Sequence, residues 1–360
     1  MASTSDVVTS NGFYGVPGPH LPGDSVEAGR PRVVIAMPAD VERAVLPPEV
    51  AADLGRVAEV SPARIRESFT STEAAAALAD AEVLLTGWNT PKVTTDTVAR
   101  APRLRAIVHT AGTVRTFIEE EVLRTVTVCS QAHANAVPVA EYTFAAVVMA
   151  SKQAFRLRER LRRERRGRDL RELPELGTYR TTIGLVGASR VGRLVLERLR
   201  SLDVRLLLHD PYLTVDEAHA LGAELVDLET LMTSSRVVSL HAPLLPDTVG
   251  MITRELLAAM PDGGTFINTA RGAIVDHSAL IDECTSGRLQ AVLDVTHPEP
   301  LPPDSPLFDL DNVFLTPHIS GSLGNEVARL GTAAVAEVAR IARGEPLRSV
   351  VEPHLIGRLA

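Results

Sequence analysis

One stretch decides the fold that this sequence predicts: Gly184-Leu185-Val186-Gly187-Ala188-Ser189-Arg190-Val191-Gly192. An apolar strand pattern precedes it, and an amphipathic helical pattern continues to Leu199. A glycine-rich turn between a strand and a helix is typical of a dinucleotide-binding βαβ unit. Gly187 permits the tight turn, Gly192 lets helix and strand approach, and the helix N-terminus offers N–H groups to a pyrophosphate. We therefore expect a dinucleotide site here.

The carboxylate Asp210 strengthens this prediction, because it ends the next predicted strand, 18 residues after Gly192. A carboxylate at that point accepts hydrogen bonds from the adenosine ribose hydroxyls and repels a 2′-phosphate. The alternative is a turn-forming aspartate before Pro211, beside ordinary glycines. The two signals together favour NAD over NADP.

Apolar strand patterns alternate with helical segments on both sides of this loop, which predicts an α/β protein with two doubly wound parallel sheets. The domains are expected to be Rossmann-like or flavodoxin-like, with an interdomain cleft. The first group of predicted strands covers residues 32–37, 82–86, 104–109 and 126–129, and the second covers 182–186, 204–208, 237–241, 265–268, 291–295 and 313–316.

The same pattern suggests three parts of the chain. Residues 1–30 are rich in Gly, Pro and Ser without apolar periodicity, so we expect a flexible extension that lacks the layout of a secretory signal. A discontinuous substrate-binding domain is expected over 31–136 and 325–360, and an NAD-binding domain over 137–324. Residues 137–166 predict one long helix with an arginine-rich second half, either a solvated bridging face or a basic docking patch.

Composition narrows the function. The 360 residues carry a net charge of −8, which disfavours nucleic acid as the main partner. No apolar stretch approaches the ~18 residues that span a bilayer. Only Cys129 and Cys284 are present, which excludes a disulfide framework and a cysteine-based zinc site. We expect a cytoplasmic protein without a metal, a membrane or a nucleic-acid partner.

Three side chains at predicted strand ends of the second sheet suit hydride transfer to a 2-oxo acid. Arg271 supplies a forked cation for the carboxylate and carbonyl. His318 supplies a proton donor, and Glu299 a carboxylate that orients the imidazole and keeps it protonated. The rival interpretations are a structural His318, or His109 or His297 as the acid/base.

The motifs together resemble the D-isomer-specific 2-hydroxyacid dehydrogenase family, whose relatives include glycerate, phosphoglycerate, D-lactate, formate and phosphite dehydrogenases. The similarity covers roughly residues 83–351. Its pieces are Gly187 to Gly192, His209-Asp210-Pro211, Leu240 to Leu244, Asn268 to Asp276, Leu293-Asp294-Val295 and Thr316 to Gly321.

The resemblance implies roles for individual residues and a homodimer. Arg271 resembles the substrate-binding arginine, Glu299 the histidine-orienting carboxylate and His318 the acid/base. Ala111-Gly112-Thr113 resembles the loop whose N–H groups bind the substrate carboxylate. The expected cofactor contacts are Gly187, Ser189, Arg190, Val191, Gly192, Asp210, Pro243, Thr248, Ala270, Asp294 and Gly321.

The chain also departs from the family pattern. Ser189 replaces a glycine, so a hydroxyl stands where the pyrophosphate approaches. Val114-Arg115 replaces the usual Asp-Asn after the substrate loop, so Arg115 either adds a cation for a dianionic substrate or is a solvated residue.

The sequence therefore predicts an NAD-dependent oxidoreductase that transfers a hydride between nicotinamide and C2 of a small 2-hydroxy or 2-oxo acid, with D-stereochemistry expected from the family. Two alternatives stay open. One is the same fold acting on another small anion of the formate or phosphite type. The other is an NAD-sensing scaffold or corepressor with little turnover.

Overall fold

The computed structural model describes residues 29–165 and 176–353. It divides into two compact units, one formed by the described residues up to Ala134 together with those from Gly324 onward, and one from Asn135 to Leu323. We call them unit 1 and unit 2. The extension predicted for residues 1–30 lies almost wholly outside the described residues.

Twelve strands are present in the described ranges, five in unit 1 and seven in unit 2. They are β1 (Arg32–Ala36), β2 (Glu59–Ile65), β3 (Val83–Thr86), β4 (Ala106–His109), β5 (Thr127–Ser130), β6 (Thr182–Val186), β7 (Arg205–His209), β8 (Glu224–Leu225), β9 (Val237–Leu240), β10 (Thr265–Asn268), β11 (Gln290–Leu293) and β12 (Val313–Leu315).

The α-helices of the same ranges connect and flank these strands. They are α1 (Ala39–Val45), α2 (Pro48–Val57), α3 (Thr72–Ala79), α4 (Thr95–Ala99), α5 (Val122–Thr125), α6 (Ala132–Ser151), α7 (Ala154–Glu164), α8 (Arg190–Leu199), α9 (Val215–Ala220), α10 (Leu228–Ser234), α11 (Arg254–Ala259), α12 (His277–Thr285) and α13 (Val327–Arg343).

Unit 1 contains a parallel sheet in the order β2-β1-β3-β4-β5, the flavodoxin-like arrangement. Its inner strands β3 and β4 are mostly apolar and fully buried, which is typical of a parallel sheet. Strand β2 was missed from the sequence. It contains Pro62 and has polar residues among its apolar ones, which is tolerated because β2 lies at the sheet edge.

The C-terminal helix α13 completes the core of unit 1. Leu330, Ala334, Val338 and Ile341 are fully buried on one face of this helix. Gly331 makes the packing close, because a Cβ at this position would lie 1.6 Å from the carbonyl oxygen of Val45. Helix α13 and the end of α1 can therefore meet only at a glycine.

Unit 2 contains a seven-stranded parallel sheet in the order β12-β11-β10-β9-β6-β7-β8. The six predicted strands are present, and the two-residue strand β8 extends the edge. Strand β6 pairs with β7 on one side and with β9 on the other. The connection direction therefore reverses between β6 and β9, and ligands of open α/β sheets bind outside the strand ends at such a point. The predicted fold class is confirmed.

The single long helix predicted for residues 137–166 is wrong. The helix begins earlier, at Ala132, includes Pro138 and ends at Ser151, and α7 starts anew at Ala154. Gln153 breaks the run with a φ of 49°, a left-handed conformation that no helix interior contains.

The break lets Phe155 stack on Phe314 of β12, with ring centroids 4.2 Å apart. In α7 no residue is buried, and Arg160 and Arg162 pair with glutamates on the same helix. This is the arrangement expected if the arginine-rich segment is a solvated face. Within residues 29–165 and 176–353, no helix combines the length and the apolar composition needed to cross a bilayer.

Candidate functional site

The glycine loop, residues 187–192, lies at the reversal point of the unit 2 sheet. Gly187 has a φ of 99°, and a Cβ there would lie 2.7 Å from the backbone nitrogen of Ala242, which follows β9. A Cβ on Gly192 would lie 2.2 Å from the Gly187 carbonyl oxygen. Both glycines are therefore required by close backbone approach, as the sequence pattern predicts.

Ser189 uses its hydroxyl to cap helix α8. Its Oγ accepts a hydrogen bond from the backbone N–H of Gly192 at 3.3 Å, the geometry of an N-cap. The hydroxyl proton is not used in this bond, so it stays available for a phosphate oxygen. The serine that replaces the family's glycine thus stabilises the helix start and adds a donor there. Arg190 and Val191 form the first turn of the same helix.

Asp210 connects the glycine loop to the end of β7. Its Oδ2 accepts from the Ala188 N–H at 2.7 Å, and its Oδ1 accepts from the Tyr212 N–H at 2.9 Å. An ionised carboxylate has about four acceptor positions, so two remain for ribose hydroxyls. The turn-forming and the ribose-binding interpretations are therefore compatible with each other.

Thr248 holds the loop that follows β9. Its Oγ1 donates to the carbonyl oxygen of Pro243 at 2.6 Å and accepts from the Leu245 N–H at 2.8 Å. Two residues predicted as cofactor contacts are thus joined to each other, and the hydroxyl of Thr248 is occupied in shaping the loop.

Arg271 follows β10 on a turn that Asn268 fixes. The Asn268 side chain donates to the Arg271 carbonyl at 3.0 Å and accepts from the Ala270 N–H at 2.9 Å. Among the described residues, the only hydrogen bond of the Arg271 guanidinium goes to the Ala270 carbonyl. Most of the guanidinium fork is therefore available. The positioning role of Asn268 was missed, because a strand-end asparagine resembles any turn former.

The next residue, Gly272, comes close to the loop after β11. A Cβ there would lie 2.0 Å from the carbonyl oxygen of Thr296. A glycine next to Arg271 is thus required for the turns after β10 and β11 to meet.

His318 and Glu299 form a hydrogen-bonded pair. Nδ1 of His318 lies 2.6 Å from Oε1 of Glu299, and both side chains are close to half exposed. With Nδ1 bonded to the carboxylate, Nε2 is the nitrogen that faces elsewhere. His318 has a φ of 55°, which is unusual for a residue with a side chain and is held only where the surroundings determine it.

Asp294, after β11, determines that conformation. Its carboxylate accepts from the N–H groups of Ile319 at 2.8 Å and Ser320 at 2.9 Å, and its carbonyl oxygen accepts from the His318 N–H. The residue is 1% exposed. The sequence predicts Asp294 as a cofactor contact. In the structure, its carboxylate accepts hydrogen bonds from the loop of residues 316–320, which we call the His318 loop.

The predicted substrate loop, Ala111-Gly112-Thr113, follows β4 in unit 1. The Ala111 carbonyl accepts from the Gln131 N–H at 2.9 Å and from the Ser130 hydroxyl, and the Gly112 carbonyl also accepts from that hydroxyl. In a trans peptide the N–H points opposite to the preceding C=O. The N–H groups of Gly112 and Thr113 therefore point away from Ser130, and neither donates to another described residue. Ser130 was missed from the sequence.

The histidines that could compete with His318 for the acid/base role lie in different environments from the His318 side chain. His109 is buried with Nδ1 3.0 Å from the Thr86 hydroxyl, and burial lowers its pKa to about 3. His241 is buried with Nε2 2.9 Å from the Ser239 hydroxyl, and burial lowers its pKa to about 3 as well. Both are neutral near pH 7 and are poor proton donors. His297 is exposed. Arg115, beside the substrate loop, is exposed too.

Known proteins resemble this chain in sequence. Residues 144–320 match the family profile described as "D-isomer specific 2-hydroxyacid dehydrogenase, NAD binding domain", which confirms the expected cofactor class. The chain is 31% identical over 262 residues to the glyoxylate reductase of Korarchaeum cryptofilum, covering 72% of this chain and 77% of that protein. It is 30% identical over 296 residues to the D-3-phosphoglycerate dehydrogenase of Methanocaldococcus jannaschii, covering 81% of this chain and 56% of that protein.

Among solved structures, a phosphoglycerate oxidoreductase from Rhizobium etli matches with a TM-score of 0.78 at 22% identity, over 91% of this chain and all of that one. This likeness supports the two-sheet fold. The chain spans about half the length, or less, of the phosphoglycerate dehydrogenases that it matches. The coverage of the glyoxylate reductase and the profile match nevertheless establish the family: this chain belongs to the D-isomer specific 2-hydroxyacid dehydrogenases.

Proposed function

We propose that this chain is an NAD-dependent dehydrogenase that transfers a hydride between the nicotinamide and C2 of a small 2-hydroxy or 2-oxo acid. The observation that carries the proposal is the 2.6 Å pair of His318 and Glu299 in unit 2. This unit also holds the glycine loop and Arg271. A proton donor, its orienting carboxylate and a cation are the groups that reduction of an oxo acid requires.

The glycine loop fits a dinucleotide. The glycines at 187 and 192 bring the strand end and helix α8 together, and the helix start carries Ser189 with its free hydroxyl proton. Asp210 retains acceptor positions for the ribose hydroxyls, which favours NAD over NADP. When bound, NADH supplies the hydride. We propose Pro243, Ala270 and Gly321 as further contacts, because all three follow strands at this edge of the sheet.

In the direction of reduction, the oxo acid receives one hydride and one proton. With the hydride supplied to C2 of the oxo acid, the carbonyl π bond would break and the oxygen would take a proton from Nε2 of His318. Oxo acid, NADH and a proton thus become hydroxy acid and NAD⁺. Glu299 holds Nδ1 of His318 and so orients the imidazole for the transfer from Nε2. The Arg271 fork binds the carboxylate and stabilises the charge that develops on the carbonyl oxygen.

The substrate carboxylate is proposed to bind the outward N–H groups of Gly112 and Thr113. Two adjacent N–H groups with no other described partner form an anion site. In this proposal unit 1 is the substrate-binding domain, unit 2 is the NAD-binding domain, and the D-isomer is the hydroxy acid.

We also propose a cytoplasmic homodimer. Both cysteines are buried and free, which suits a reducing compartment. Met149 on α6 and Leu161 on α7 are 44% and 56% exposed, and a second copy of the chain would cover such apolar groups.

The test is a panel of small 2-oxo acids, with formate and phosphite as oxidative substrates, followed by nicotinamide absorbance with NADH or NADPH and their oxidised forms. His318→Ala is expected to lower kcat about 1,000-fold on the best acid with little change in NADH affinity, since general acid catalysis contributes that much. The matched control His297→Ala should stay within about twofold. Turnover only with formate or phosphite, or binding of NAD without any turnover, would overturn the proposal.

A further inference from the structure

Tyr142 begins a hydrogen-bonded chain that ends on the His318 loop. Its hydroxyl, on helix α6, lies 2.7 Å from Oγ1 of Thr316, and that Oγ1 lies 2.7 Å from Oδ1 of Asp294. All three residues belong to unit 2. The chain thus reaches the carboxylate that also holds the N–H groups of Ile319 and Ser320.

The direction of these bonds follows from proton counting. An ionised carboxylate only accepts, so the single hydroxyl proton of Thr316 is donated to Asp294. Thr316 then has only lone pairs for its other neighbour, and Tyr142 must be the donor. Burial, assisted by the charge of Asp294, raises the pKa of Tyr142, so its hydroxyl keeps this proton at neutral pH.

The bond from Tyr142 fixes which way the Thr316 hydroxyl points. Oδ1 of Asp294 accepts from both Thr316 and Ile319, and Oδ2 accepts from Ser320, so the carboxylate is held on both sides. These bonds surround His318 on both sides in sequence and support its left-handed backbone. Without Tyr142, Thr316 is free to turn and one of the three bonds is lost for part of the time.

We propose that Tyr142 is a positioning residue for His318, acting through Thr316 and Asp294. The inference rests on the proposed function, because it assigns His318 the acid/base role. It also predicts a property of the imidazole that does not need turnover: in the intact loop, Nδ1 stays bonded to Glu299, and the ring has one orientation.

The kinetic experiment uses Tyr142→Phe, Thr316→Val, the double variant and Thr316→Ser, with Tyr179→Phe as the control, because Tyr179 is 68% exposed. Tyr142→Phe should lower kcat about fivefold, the effect of one neutral hydrogen bond, and Thr316→Val about 30-fold, because its bond is to a charged group. KM for the acid and Kd for NADH should each stay within about twofold, since the loss is confined to the transition state.

The double variant should match Thr316→Val, since Tyr142 acts only through Thr316, and Thr316→Ser should restore most of kcat. An unchanged kcat in Tyr142→Phe would overturn the inference. So would losses that multiply in the double variant, or an equal loss in NADH affinity.

A second readout separates this inference from the proposed function. Diethyl pyrocarbonate modifies accessible imidazoles, and mass spectrometry measures its rate at each histidine. The rate at His318 should rise at least about threefold in Tyr142→Phe, because breaking one hydrogen bond loosens the loop by that order. The rate at the exposed His219 should not change. If the panel shows no turnover but His318 reacts faster, the function fails and the positioning role stands. Equal rates at His318 contradict the positioning role whatever the turnover.

Discussion

The two loops that carry the proposed chemistry are fixed through different backbone groups: N–H groups in one loop and carbonyl groups in the other. In unit 2, the buried Asp294 carboxylate accepts N–H groups of the His318 loop. In unit 1, the Ser130 hydroxyl donates to carbonyl groups of the loop at Ala111 and Gly112. In the His318 loop, the backbone N–H donors are occupied by Asp294, and the functional group that the loop presents is the His318 side chain. In the loop at Ala111 and Gly112, the carbonyl acceptors are occupied by Ser130, and the N–H groups of Gly112 and Thr113 are left to bind an anion. The bond partner of a loop therefore decides what the loop offers to a ligand.

Of the hydrogen bonds that fix the two loops, those to the charged Asp294 carboxylate are expected to have the largest effect. Asp294→Asn replaces one oxygen by an NH₂ group that faces a donor of the His318 loop. We expect kcat to fall about 100-fold and the free energy of unfolding to fall by about 2–3 kcal/mol, because bonds to a buried charge are lost. Steady-state kinetics and urea unfolding measure both, with the exposed Asp309→Asn as the control. A kcat within about threefold of the parent would show that the loop does not depend on the carboxylate.

Acid should destabilise both units to a similar extent, because each has one buried neutral histidine at the end of a strand. These are His109 in unit 1 and His241 in unit 2. Burial lowers the pKa of each from 6.5 to about 3. The unfolded chain therefore binds these protons at higher pH than the folded one. Their contribution to the free energy of unfolding therefore has its full value above pH 6.5 and decreases as pH falls towards 3. At pH 5 the loss is about 2 kcal/mol per histidine.

Urea unfolding at pH 7.5 and pH 5 measures this loss. His241→Gln keeps a nitrogen near the Ser239 hydroxyl and removes the titration, so its free energy of unfolding should depend less on pH. The exposed His219→Gln is the control and should keep the parental dependence. A parental dependence in His241→Gln would contradict the assignment.

The smallest effect is expected for the neutral donor of unit 1. Ser130→Ala leaves the Gly112 carbonyl without this hydroxyl and lets the peptide turn. KM for the oxo acid should rise about fivefold with kcat within about twofold, because a neutral hydrogen bond contributes about 1 kcal/mol and the anion site serves binding. The exposed Ser286→Ala is the control. A fall in kcat at constant KM would place the loop's role in the chemical step instead.

The sequence predicts features that have a repeating or steric signature. Buried parallel strands are continuous apolar runs, so β3 and β4 were found, and Gly187 was found because the turn requires it. Strand β2 has no such run, and the break at Gln153 lies within a stretch of good helix formers. Ser130 and Tyr142 were missed for another reason. They act on the backbone or on a neighbouring side chain, and only tertiary structure brings these partners together.

The contact of Gly331 with the Val45 carbonyl has a consequence for synthesis on the ribosome. The described part of unit 1 starts earlier in the chain than unit 2, yet its core lacks α13 until residues beyond 324 have emerged. The described residues of unit 2 lie between Asn135 and Leu323, and its seven strands are complete by Leu315. We therefore expect the unit whose described residues come first in the chain to complete its core last.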